Sequence, residues 1–126
     1  VAPDENPYLR SEASMKFLVL LYSDRKAASP SADAPSGGDV EDWVSEMDKR
    51  GLRVAGEPLL PDSAAVSVQV REGARKVISE PHLDTGDSLI GFDLLECRDI
   101  EEAIEVAAAH PLARRFVLEI RPAGET

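Results

Sequence analysis

The chain is predicted to fold as one α+β domain in which two helices cover a single face of an antiparallel sheet. Three observations lead there. The 126 residues suffice for one domain with a real core and are too few for two. A hydrophobic content of 43% is that of a globular protein rather than a disordered one. Apolar residues follow a helical period in two segments only, and the strand-like segments fall around them in the order βα, β plus a hairpin, βαβ.

The elements follow in chain order. Residues 1–14 show no apolar periodicity and no apolar core of a secretion signal, so an upstream extension or cloning remnant is expected there, with the domain spanning 15–126. Lys16–Tyr22 is apolar at successive positions, the mark of a strand covered on both faces. Segment 23–38, rich in Ser, Ala, Pro and Gly, predicts a long surface loop. Asp39 suits the N-cap of a first helix whose Val40, Trp43, Val44 and Met47 form one stripe and which Gly51 ends. A short strand from Arg53 to Glu57 should break at Pro58. Val66, Val68 and Val70 alternate with polar residues, and a Glu72–Gly73 turn joins them to a second strand at Arg75–Ser79, giving a hairpin. After a polar loop, Leu89–Cys97 reads as a strand. Asp99 and Glu102 make a capping box for a second helix with Ile100, Ala103, Ile104, Ala107 and Ala108 inward, stopped by Pro111. The last strand carries Phe116, Leu118 and Ile120 on one side and is expected to end at Pro122.

Composition narrows the function. A net charge of −10 repels phosphate backbones and anionic lipid, which argues against nucleic-acid and membrane partners. No apolar run approaches the ~20 residues of a membrane helix. The lone Cys97 rules out an internal disulfide framework and suits a reducing, cytoplasmic setting. Two amphipathic helices can cover only one sheet face, and apolar residues from Phe17–Leu21, Leu89, Leu95 and Val117 remain for the other. Such a patch is an aggregation hazard unless buried, so a homodimer is expected, each copy covering the other.

Four stretches resemble the YCII-related family, in particular its DGPF-domain branch: the opening Lys16–Tyr22, the Val54–Leu59 segment, the loop Ser79–Asp87 leading into Leu89–Phe92, and His110-Pro111 with the closing Glu119–Pro122. In the loop that names the branch, Pro81 and Thr85 match and Asp84 and Asp87 keep its acidic character, while the other positions differ. The resemblance implies a ferredoxin-like sheet assembled as a dimeric α+β barrel, with a cleft between sheet and helices. Most members are uncharacterised. A few relatives act on small ring-cleavage products as lyases or dehalogenases through a His–Asp pair, and others lie beside sigma factors. In the enzyme-like branch the histidine follows the first strand, and segment 23–38 here contains none.

Among candidate site residues, His82 stands two positions before Asp84, so in an extended loop both side chains can share a face and form an acid–base pair. Tyr22 and Ser23 end the first strand, where side chains often line a cleft. Asp87 and Arg121 complete a substrate-binding set in this reading. His110 is explained instead by the helix C-terminus, where its protonated form suits the dipole. Cys97 reads as a packed thiol and Trp43 as core. Neither zinc spacing, a full calcium loop nor a nucleotide motif is present, so no metal or cofactor is expected. The expectation is a small organic molecule held in a cleft, with isomerase or lyase chemistry within reach. The alternative is a non-catalytic interaction or regulatory module.

Overall fold

A computed structural model describes residues 14–23, 37–84 and 86–124. The expected extension up to residue 13, most of the expected 23–38 loop, and Thr85 lie outside them. The strands are β1 (Met15–Tyr22), β2 (Arg53–Pro58), β3 (Ser67–Arg71), β4 (Ala74–Ile78), β5 (Leu89–Cys97) and β6 (Val117–Ala123). The helices are α1 (Gly37–Lys49) and α2 (Ile100–Ala108), and 3₁₀ turns occupy Asp62–Ala64 and Pro111–Arg114.

Four strands form one antiparallel sheet in the order β2-β5-β1-β6, and β3 and β4 pair with each other. β1 and β2 run the same way with β5 between them, and α1 connects them. β5 and β6 flank β1 and are connected by α2. Two interleaved βαβ units of this kind make the ferredoxin-like arrangement, with the β3–β4 hairpin added between β2 and β5.

Burial shows which face the helices cover. Phe17, Val19 and Leu21 of β1 and Leu95 and Cys97 of β5 are buried together with Trp43 and Met47 of α1 and Ala103 and Val106 of α2. Leu118 and Ile120 of β6 pack against that cluster. Trp43 Nε1 donates to the carbonyl of Val106 at 3.1 Å, which ties the two helices at the centre of the core. Asp99 caps α2 by accepting from the Glu102 amide at 2.9 Å. The Glu102 carboxylate accepts from the Arg98 amide at 2.9 Å, one residue beyond the N-cap amide that a strict capping box would use.

Three sequence expectations need correction. Leu95 belongs to the helix-covered face and is fully buried. The opposite face is built from Leu18, Leu20 and Val117 as expected, with Leu94 in place of Leu95, and these alternate with core residues. Pro58 is the last residue of β2, in register with Gly91, so that strand stops there as expected, whereas Pro122 stays paired with Phe17 and β6 runs on to Ala123. Both strands are sheet edges, where a missing amide proton costs no ladder bond. Helix α1 begins at Gly37, so Asp39 sits in its first turn rather than capping it. No helix among the described residues is long and apolar enough to cross a membrane.

Candidate active site

Two irregularities in the sheet shape the space beneath α1. In β2 the register jumps between Arg53 and Ala55, so that Arg53 lies opposite Leu95 and Gly56 opposite Asp93. The extra residue, Val54, is half exposed. Without this bulge the smaller-than-alanine position would not fall beside Asp93. In the β1–β5 pair, Leu21 faces Gly91 and Tyr22 faces Leu89, which leaves Ile90 outside the ladder with β1. Ile90 packs against the core.

Between these features lies a cavity of about 200 Å³. Leu21, Val40, Val44, Ile90 and Leu112 give it apolar walls, and Arg53, Asp93 and His110 make its polar end. Arg53 Nε donates to Asp93 Oδ1 at 2.8 Å and its Nη1 to Asp48 Oδ1 at 3.2 Å. The Arg53 and Asp93 side chains are 15% and 8% exposed, so this is a largely buried ion pair. Burial holds the Asp93 carboxyl above the usual carboxylate range, the Arg53 guanidinium pulls it down, and Asp48 adds to the rise. Burial also disfavours the Arg53 charge, but its two carboxylate partners outweigh that and raise its pKa.

His110 is 2% exposed and lies against Trp43, with ring centroids 4.4 Å apart and planes tilted by 53°. Its Nδ1 accepts from the Leu112 amide at 3.0 Å and caps the 3₁₀ turn that Pro111 begins. The ring is therefore the Nε2–H tautomer when neutral. Burial, and next the charge of Arg53, lower its pKa to about 4. This corrects the expectation of a protonated histidine on the α2 dipole: α2 ends at Ala108, and His110 turns inward as a neutral ring. Among the described residues, His110 Nε2 and Arg53 Nη2 make no hydrogen bond, and Arg53 engages only Oδ1 of Asp93. The polar end thus holds unspent donors and a carboxylate oxygen.

The low pKa has a consequence for stability. Between pH 6.5 and about 4 the unfolded chain protonates His110 and the folded chain does not. Acidification through that window therefore favours unfolding, by up to about 3 kcal/mol for this group. Chemical denaturation across that range should show a loss in the wild type that is absent from His110→Gln. Equal pH profiles for the two proteins would refute it.

The six positions singled out from sequence lie elsewhere, and none lines this cavity. His82 is exposed in the loop before β5 and makes no hydrogen bond among the described residues. Asp84 Oδ1 accepts from the Gly86 amide at 3.2 Å, closing a local turn in which Gly86 has a φ of 87°. The carboxylate that was to orient His82 is thus hydrogen-bonded within its own loop. Ser23 joins that loop to β1: its Oγ accepts from the Ser88 amide at 3.0 Å and its amide donates to the Ser88 carbonyl at 2.8 Å. Tyr22 and Asp87 are half-buried nearby. Arg121 lies opposite Leu18 on the face away from the helices and pairs with Glu119 at 2.9 Å. Cys97 is buried as expected, and burial, with Glu102 and Asp99 adding, pushes its thiol up to about 11. It remains protonated and unreactive at neutral pH.

Arg53 and Asp93 were not anticipated, although a signal for Asp93 was present. It occupies the inward phase of β5 with Gly91, Leu95 and Cys97, and a carboxylate on that phase must have a partner.

The family model for the YCII-related domain matches residues 15–125. An uncharacterised protein of Rhizobium meliloti (strain 1021) is 27% identical over 127 residues, covering 86% of this chain and 91% of its own length.

Proposed function

The chain belongs to the YCII-related family, and from that premise we propose that it binds a small organic molecule with a carbonyl or carboxylate group in the cavity under α1. One observation carries the reading: a neutral, buried histidine and a buried Arg–Asp pair line one mostly apolar space, which Glu57 also borders. Such a space selects an apolar body and orients a single polar end. At about 200 Å³ it is below the usual range for drug-sized ligands, so a metabolite of roughly ten non-hydrogen atoms or fewer is the match.

The same groups suit acid–base chemistry of isomerase or lyase type. A neutral imidazole donates through Nε2–H to a carbonyl oxygen and stabilises the negative charge that develops when a neighbouring carbon loses its proton. Asp93, its pKa raised by burial, is the base in this reading. Arg53 holds the Asp93 side chain in place and offsets its charge. His82 and Asp84 take no part. The functional unit is a homodimer formed through the open sheet face of Leu18, Leu20, Leu94 and Val117.

Screening a panel of 2-oxo acids and small unsaturated lactones by ligand-observed NMR and thermal shift tests the binding. Hits are expected to lose affinity at least about tenfold in His110→Phe, because a buried polar end is left unmatched. His82→Ala should bind as the wild type does. Hits unaffected by His110→Phe, or displaced by His82→Ala, would move the site away from this cavity.

A further inference from the structure

The cavity under α1 is surrounded by more negative than positive charge. Among the described residues, Arg53 is the one cation that lines it. Its guanidinium already faces two carboxylates, Asp93 at 2.8 Å and Asp48 at 3.2 Å. His110 supplies no second positive charge, because burial and the charge of Arg53 hold its pKa at about 4. Glu57 borders the space from β2. The dipole of α1 favours an anion near Val40, but the first turn carries Asp39, and Glu41 and Asp42 follow. The balance around the guanidinium is therefore negative.

A ligand carboxylate entering this space would become a third anion on one guanidinium. It would lose its water and find no cation of its own. A neutral carbonyl group escapes that cost. It also matches the groups left without hydrogen bonds among the described residues, which are the donors His110 Nε2 and Arg53 Nη2 and the acceptor Asp93 Oδ2. A carboxylate offers acceptors only and sets a like charge against Asp93. A lactone or ketone accepts from the two donors, and a carboxamide can in addition donate to the free Asp93 oxygen.

We propose that the cavity takes an uncharged carbonyl compound, a small amide, lactone or ketone, and turns carboxylates away. The proposal rests on the cavity reading above and narrows it to one ligand class. Asp48 is a specificity-determining residue in it, acting through Arg53 rather than by touching the ligand.

Two pairs of probes of matched size, each a neutral compound and an anion, test this at pH 7. Cyclohexanecarboxamide is set against cyclohexanecarboxylate, and γ-valerolactone against 4-hydroxypentanoate. Their Kd values for the full chain are measured by ligand-observed NMR and calorimetry. The neutral member is expected to bind at least about tenfold more tightly than the anion. Asp48→Asn keeps an oxygen acceptor for Arg53 Nη1 at a half-exposed position and removes one of the two opposing charges. It should narrow the neutral-to-anion ratio at least about threefold, with circular dichroism confirming the fold. A wild-type ratio below about tenfold, or a smaller narrowing in Asp48→Asn, would overturn the charge selection and leave the cavity reading standing. Neutral probes that fail to bind at about 10 mM, or whose binding ignores His110→Phe, would overturn both.

Discussion

Arg53→Met is expected to lose about 3–5 kcal/mol of stability at neutral pH, because it leaves Asp93 buried as an uncompensated charge. The methionine keeps the apolar stem that packs along β2, so the loss isolates the guanidinium. Two features distinguish this from ordinary packing damage. First, the gap between wild type and variant should narrow as pH falls towards 4. Without Arg53 the Asp93 pKa rises further, and protonation then stabilises the folded state relative to an unfolded chain whose aspartate titrates near its ordinary value of 3.8. His110 works in the same direction, since the charge that opposed its protonation is gone. Second, adding Asp93→Asn should restore most of the loss by removing the stranded charge. Urea titrations of the three proteins at pH 7 and pH 5 measure both. A pH-independent gap, or a double variant no better than the single, would show that the pair is not the unit described.

Gly56→Ala should be nearly as damaging, at about 3 kcal/mol, the upper end of the usual cost of overpacking. Its added methyl would meet Asp93 Oδ1, Arg53 Nη2 at 2.5 Å and the carbonyl of Phe92 at 2.9 Å. The first two belong to the ion pair and the third to the neighbouring strand, so neither side can yield without breaking a bond. In an Arg53→Met and Asp93→Asn background the cost should shrink, with a coupling energy of about 1 kcal/mol or more. By contrast Gly51, with a φ of 72° and open space around it, matters only for its left-handed conformation at the end of α1. Gly56→Ala with unchanged thermal stability would show that β2 can move away from β5, and with it the wall of the cavity.

The contrast between fold and site explains what the sequence makes legible. β5 runs from Leu89 to Cys97 as read, because apolar residues with turn signals on both sides leave little freedom in its limits. The Asp99 cap and Pro111 stop bound α2 for the same local reason. The site depends on residues 40 or more positions apart. Arg53 meets Asp93 only because a bulge at Val54 sets the register, and no local pattern in Arg53–Pro58 announces a bulge. His110 was visible, but its position after a helix suggested the dipole, and only the tertiary contact with Trp43 reveals it as a neutral interior ring. His82 and Asp84 illustrate the converse. Their spacing allowed a pair, while the Asp84 carboxylate is hydrogen-bonded by the amide of Gly86, equally two positions away. Local side-chain-to-backbone hydrogen bonds of this kind compete effectively with side-chain partners.

The two edge prolines also govern how copies of this chain can associate. Pro58 and Pro122 sit on the outer strands β2 and β6 and interrupt the donor row each edge would offer to an incoming strand. Lateral growth into an extended ribbon is thereby discouraged at both ends. What stays open is contact through the faces of the sheet. The chain is thus biased towards a finite particle and away from the fibrous polymer that an unguarded four-stranded sheet with a bare apolar face would invite.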